Sequence, residues 1–305
     1  MKKSLVAVLC AALLLTGCNK GEPSSQPTEL VVSSQAGGET ALAAFPVQVR
    51  GVTVESAAQR VVSLSPAVTE ILSELGFAGK LVGVSSYCDY PEGIDKPAFG
   101  SAENPDLSGI TALAPDAVFT LSSLAERDVY ALESAGILVI KLDPPTSMEE
   151  YALLYRDVAS VFYGKQQTED EKQTEIAAQL GNTRRAMLEA LANGVSLGDF
   201  VYVTGKGMLA GADTFENAVL SLCGENLCTE EGYVPAQDGI SVPAYIVADS
   251  ALSEADLRSD PVVAAMLDGG AKALFVTSQY FERPSLRTAQ VFSEISSQLE
   301  AVHSE

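Results

Sequence analysis

From Arg60 onward the chain alternates short β-branched runs with stretches of helical period. That alternation limits what it can become: parallel strands joined by helical crossovers, in a sheet covered on both faces. Val61-Val62-Ser63-Leu64 reads as a strand, Ala67 to Leu75 as a helix stopped by Gly76, and Leu81-Val82-Gly83-Val84 as the next strand. Ala117 to Leu121 and Ile137 to Ile140 are two further strands, with a helix from Leu124 to Ser134 between them.

The middle of the chain loses this alternation. Pro144-Pro145-Thr146-Ser147 introduces a helix from Met148 to Tyr163, which Gly164 ends. Thr168-Glu169-Asp170-Glu171 has the form of a capping box and opens a second helix reaching to about Asn193. At the standard rise this second helix would be ~39 Å long, more than a small domain's interior needs. Alternation then resumes, with strands at Phe200 to Thr204, Tyr245 to Ala248 and Ala273 to Thr277, and helices at Thr214 to Leu222 and Leu286 to His303. Two α/β lobes joined by one long helix account for this order, and a single α/β domain carrying a long surface helix is the alternative.

The N-terminus has a different character. Lys2 and Lys3 precede an apolar run from Leu5 to Leu15, the layout of an export signal and too short for a membrane span. Leu15-Thr16-Gly17-Cys18 resembles the bacterial lipobox, in which the cysteine becomes the lipidated N-terminus, although a plain secretory peptide with an incidental cysteine has the same layout. The expected organisation is a signal over 1–17, a flexible polar tether over 18–45, a first lobe over 46–147, a helical connector over 148–195 and a second lobe over 196–305.

Composition excludes several classes. A net charge of −21 argues against nucleic acid and anionic lipid surfaces as partners. The only histidine, His303, is the third residue from the end, which leaves no histidine-rich site for a bare metal ion and no Ser-His-Asp or Cys-His catalyst. No nucleophile elbow or paired metal motif is present, so the chain reads as a binding protein, although its carboxylates are plentiful enough to form a catalytic pair. Export permits disulfides, and Cys223 and Cys228 would pair if Gly224 to Leu227 turned back.

Two stretches carry a resemblance. Arg60-Val61-Val62-Ser63-Leu64-Ser65-Pro66-Ala67-Val68-Thr69-Glu70 and Ser85-Ser86-Tyr87-Cys88-Asp89-Tyr90-Pro91 are similar to the opening of periplasmic-binding-protein-like receptors for cobalamin, siderophores and haem. The second stretch looks most like that of the vitamin B12-binding members. Asn104-Pro105-Asp106-Leu107, Ala112 to Val118, Glu133 to Ile137 and Cys223-Gly224-Glu225-Asn226 extend the match, which is strong in the first half and patchy in the second.

The resemblance implies a class III architecture, two lobes bridged by a rigid helix. It also implies a chelate held between the lobes, a corrinoid foremost and a ferric siderophore or haem next, and delivery to an ABC permease and its ATPase. No cofactor is expected, since a metal would arrive within the cargo, and the expected state is a monomer. The cleft-lining candidates are Ser65 at a helix start, Tyr87 and Tyr90 after the second strand, Ser122 and Ser123 after the third, and Tyr233, Tyr280 and Phe281 in the second lobe. Cys88 is a candidate axial ligand or a buried thiol.

The chain departs from the family pattern at the glutamates expected to engage a permease. Ser108 follows Asp106-Leu107, and the segment around Ser241-Val242-Pro243 lacks the second glutamate, leaving Glu103, Glu225, Glu230 or Glu231 as substitutes. Tryptophan, often pressed on the corrin in such receptors, is absent.

Overall fold

The computed structural model describes residues 44–121, 124–165 and 176–302. The expected signal, Cys18, nearly all of the tether, Ser122, Ser123 and His303 lie outside these residues.

The first lobe opens with a hairpin of β1 (Val47–Val49) and β2 (Val52–Val54), whose strands sequence patterning did not single out. Val47 and Val49 are buried and Gln48 is exposed, the alternation of a strand with one face on a core. The main sheet contains β3 (Val61–Ser63), β4 (Leu81–Val84), β5 (Ala117–Thr120) and β6 (Leu138–Lys141), all parallel, in the order β4-β3-β5-β6. Its crossovers carry α1 (Pro66–Glu74), α2 (Leu107–Ala112) and α3 (Glu126–Ser134). Val61, Phe119 and Ile140 face α1, while Val62, Val118 and Val139 face the Ile110 and Leu132 side. Both faces are therefore covered, and the strands read as unbroken apolar runs.

The connector is a pair of helices. In α4 (Met148–Tyr163) the Ser147 hydroxyl accepts from the Glu150 amide, and Gly164 closes the helix at φ +63°, where a side chain would be strained. Tyr151, Tyr155, Val158 and Phe162 are buried along one face of it. The described part of the second helix, α5 (Ile176–Ala192), packs against α4. The start expected for it at Thr168 lies outside the described residues. Close approach is set at Gly181, where an added Cβ would come to 2.1 Å from the Ala152 carbonyl oxygen.

The second lobe contains β7 (Gly198–Val203), β8 (Leu209–Ala210), α6 (Phe215–Leu220), β9 (Gly224–Asn226) and β10 (Tyr233–Val234). It continues through β11 (Tyr245–Asp249), α7 (Glu254–Leu257), α8 (Pro261–Asp268), β12 (Lys272–Val276), α9 (Gln279–Glu282) and α10 (Gln290–Val302). The sheet order is β10-β8-β7-β11-β12, with β7, β11 and β12 parallel, β8 antiparallel to β7 and β10 antiparallel to β8. Strand β9 runs beside the first half of β7 and β8 beside its end, so one edge of β7 is shared by two short strands.

The Cys223–Cys228 pairing, conditional on a turn between them, is not formed: both are free, buried thiols. Gly224 to Asn226 does not turn back but extends as β9 along β7, and the two sulfurs enter different apolar clusters.

One apolar core runs from Val61 and Phe119 of the first sheet, through Tyr151, Tyr155 and Leu188 of the connector, to Phe200, Tyr202 and Phe292 of the second lobe. The Tyr151 and Phe215 rings stack across this junction with centroids 5.8 Å apart. Relative placement of the lobes thus depends on close packing between α4 and α5. Glycine to alanine inside a helix ordinarily stabilises by about 1 kcal/mol. Gly181→Ala should instead destabilise by ~1–3 kcal/mol in urea unfolding, because the Ala152 backbone has to retreat. A stabilised variant would show that the two helices do not meet this closely.

Candidate functional site

A cleft of about 690 Å³ opens between the lobes, built from loops at the carboxyl ends of the strands. From the first lobe it is lined by Ser65 and Pro66 after β3, Ser85 and Tyr87 after β4, Leu121 after β5 and Pro144 to Thr146 after β6. From the second lobe come Asp213 to Glu216, Tyr233 and Phe281 to Pro284.

Ser65 is buried and caps α1, its hydroxyl accepting from the Val68 amide at 3.4 Å. Its carbonyl accepts from the Thr69 amide and hydroxyl, so the side chain is a structural cap on the wall of the cleft. Ser85 is buried and accepts from the Tyr87 amide at 3.2 Å, while the Ser86 amide donates to the Gly100 carbonyl at 2.7 Å. This anchored turn leaves the Tyr87 side chain 67 % exposed. On the opposite wall Tyr233 is 54 % exposed, its hydroxyl donating to both Glu216 oxygens at 2.9 and 3.1 Å. Burial raises the Glu216 carboxyl above its ordinary value, the Tyr233 hydroxyl lowers it, and neighbouring Glu282 raises it further. Phe281 closes the wall with its ring edge-on to Tyr202 at 5.3 Å.

Of the expected ligand residues, Ser65, Tyr87, Tyr233 and Phe281 therefore line one cleft. Tyr90 and Tyr280 are not among its lining residues, and the cause is cation–π attraction. Their rings flank the Arg287 guanidinium from opposite lobes, at 4.6 and 5.7 Å. Cys88 meets the Thr69 hydroxyl at 3.2 Å, and burial pushes its thiol above the usual range.

Sequence reasoning missed the lock between the lobes. Glu70, wholly buried on α1, accepts from Ser285 Oγ at 2.6 Å and pairs with Arg287 at 2.9 Å and Arg283 at 3.8 Å. Arg283 also pairs with Asp89 and donates to the Tyr87 carbonyl at 3.4 Å. One turn along α1, Glu74 accepts from the Leu286 amide at 3.0 Å and from the buried Tyr155 hydroxyl. Arg184 of α5 donates to the Glu74 carbonyl at 2.8 Å. The available signal was Glu70 and Glu74 at i, i+4 within an otherwise apolar helix, a spacing that places both on one face.

Among the described residues no group of three or more His, Cys, Asp or Glu is arranged to hold a metal ion, and no helix is long and apolar enough to cross a membrane.

The chain belongs to the periplasmic binding protein family, whose model matches residues 61–232. It is 32 % identical over 152 residues to an uncharacterised ABC transporter substrate-binding lipoprotein of Bacillus subtilis, covering 47 % of this chain and 46 % of that one. It is 30 % identical over 184 residues to the vitamin B12-binding protein of Yersinia pestis, covering 59 % of this chain and 63 % of the relative. The matched stretch thus spans less than two thirds of either relative.

Solved structures share the two-lobed fold. The periplasmic vitamin B12 binding protein of Vibrio cholerae superposes with a TM-score of 0.57 at 19 % identity, over 81 % of this chain and 99 % of that one. A possible iron-binding periplasmic solute-binding protein of Staphylococcus epidermidis gives 0.64 at 21 % identity, over 80 % and 99 %. The periplasmic heme binding protein of Vibrio cholerae gives 0.64 at 17 % identity, over 79 % and 98 %. At these identities the likeness is one of fold.

The lock has a pH signature. Burial raises Glu70 and Glu74 above the ordinary 4.5, and their hydrogen bonds and arginine neighbours offset this only in part. A carboxyl raised in the native state binds its proton more readily folded than unfolded. Its stabilising contribution is complete below pH 4.5 and is lost as pH rises through the native value. Glu74→Gln removes one such group at nearly constant shape, so wild type should gain on the variant in unfolding free energy as pH falls from neutral to 4.5. A difference that is flat with pH, or of opposite slope, would show that Glu74 is not held above its ordinary value.

Proposed function

We propose that this chain is the extracytoplasmic solute-binding subunit of an ABC importer. In this reading it is lipid-anchored through Cys18 and captures a bulky metal chelate for a permease and its ATPase. A corrinoid is the favoured cargo. The observation that carries the reading is the cleft: two exposed tyrosines, Tyr87 and Tyr233, project from opposite lobes into a space of about 690 Å³ with apolar walls at Pro66, Leu121, Pro145 and Phe281. Such rings offer flat faces to a macrocycle while their hydroxyls reach its polar edge.

The names of the sequence relatives, a substrate-binding lipoprotein and a vitamin B12-binding protein, support export, anchoring and a corrinoid. Similarity to the haem and iron-binding structures supports a siderophore or haem as the alternative cargo. The protein would work as a monomer, with its metal carried inside the cargo and no cofactor of its own. Ser108, exposed on α2 and bonded to Asp106 at 2.8 Å, stands where a permease-docking glutamate is expected. That substitution favours, as a second reading, a surface lipoprotein that has left transport.

Thermal unfolding against cobalamin, cobinamide, haem and ferric siderophores tests the proposal, since a ligand that binds only the folded state raises the apparent midpoint. Corrinoids should raise it, and Tyr87→Ala should weaken their affinity about tenfold while leaving the ligand-free midpoint unchanged. A rise with haem or siderophores alone would change the cargo within the same role. No rise with any of them would favour the reading without transport.

A further inference from the structure

We infer that the cleft selects its chelate by charge, accepting neutral or cationic complexes rimmed with amide or amine donors and rejecting complexes rimmed with carboxylates or catecholates. The inference rests on the receptor reading above and names the ligand class within it.

Among the described residues, the acidic and basic side chains lining the cleft are Glu103, Asp213, Glu216, Glu282 and Arg283, and no lysine or histidine joins them. The guanidinium of Arg283 is already committed to Asp89, Glu70 and the Tyr87 carbonyl. Arg287 is held behind the wall between Glu70 and the rings of Tyr90 and Tyr280, and does not line the cleft. An anionic rim would therefore enter without a free cation among the described lining residues to meet it.

The carboxylates lie on both walls, Glu103 on the first lobe and the other three on the second, and together form no metal site. They act on whatever fills the space between them. An ionised carboxylate only accepts hydrogen bonds, so a ligand edge facing Glu216, Glu282 and Asp213 must donate N–H or O–H. Glu216 is fixed for this role by the Tyr233 hydroxyl, which holds both of its oxygens toward the exposed ring. The apolar floor at Phe281 and Leu121 excludes water from one side and strengthens attraction and repulsion alike. The chain's net charge of −21 adds a long-range field of the same sign, which slows the approach of anions.

The test uses complexes matched in shape and different in charge, titrated calorimetrically into the full chain in mild detergent. One pair is cobinamide and the same corrinoid ring with its side-chain amides hydrolysed to carboxylates. The other is a linear ferric trihydroxamate with a free terminal amine and its N-succinyl derivative. Haemin and a ferric tricatecholate serve as anionic references. In whichever pair binds, the amide or amine member should bind at least ~tenfold more tightly. Added salt should narrow that gap in the unaltered protein, a result that needs no variant to fold. The double change Glu216→Gln and Glu282→Gln should bring the pair within about threefold.

Equal or tighter binding of the carboxylate member, or binding of haemin or the tricatecholate while both amine and amide probes fail, overturns charge selection and leaves the receptor reading standing. Failure of every probe removes the receptor reading, and the inference falls with it.

Discussion

Glu70 sits at zero exposure on α1 and is joined to the second lobe by Ser285 and Arg287, across more than two hundred residues of chain. A buried carboxylate is tolerated only where charge and hydrogen bonds replace the water it loses, so these partners have to be in place whenever the protein is folded. The N-terminus of the same helix lines the cleft at Pro66 and Ala67. One rigid element thus forms a wall of the site and also fixes the opposite wall. Glu74 adds a second attachment one turn away, and Arg184 brings in α5. The geometry of the cleft is in this sense a consequence of a polar contact lying outside it.

The tyrosines show how the same side chain is given different work by its surroundings. Tyr151 and Tyr155 are wholly buried in the connector, where their rings meet edge-on and pass a hydrogen bond to Glu74. Tyr90 and Tyr280 flank a guanidinium. Tyr87 and Tyr233 keep their faces in solvent on opposing walls. Of these six, the last pair lines the cleft, and what leaves it exposed is local: the Ser85 turn on one side and the β8–β10 pairing on the other.

That difference explains how much was legible in the sequence. The parallel strands β3 to β6, β7, β11 and β12 and helices α1, α3, α4 and α10 are long or apolar enough for periodicity to reveal them. Strands β8, β9 and β10 have two or three residues each and owe their existence to pairing, β8 and β9 with the edge of β7 and β10 with β8, so no pattern announces them. The Asp260-Pro261 start of α8 was present as a capping signal but was not used. Loops after strand ends pointed to Tyr87, Tyr233 and Phe281, whereas Tyr90 and Tyr280 were diverted by Arg287, a long-range partner that spacing cannot reveal. The cysteines misled for a related reason, because β9 takes up the residues expected to turn.

If the lock across Glu70 and Arg287 determines the site, the lobes should hold one spacing before any ligand arrives. The direct measurement is the distance distribution between spin labels at exposed Ser134 on α3 and Ser259 in the second lobe, each changed to cysteine in a Cys88→Ser background. The account predicts a single narrow distribution without ligand, moving by no more than ~2 Å when a chelate saturates the cleft. A broad or two-peaked distribution in the free protein that collapses on binding would contradict it, and would mean that the ligand rather than the lock brings the two walls together.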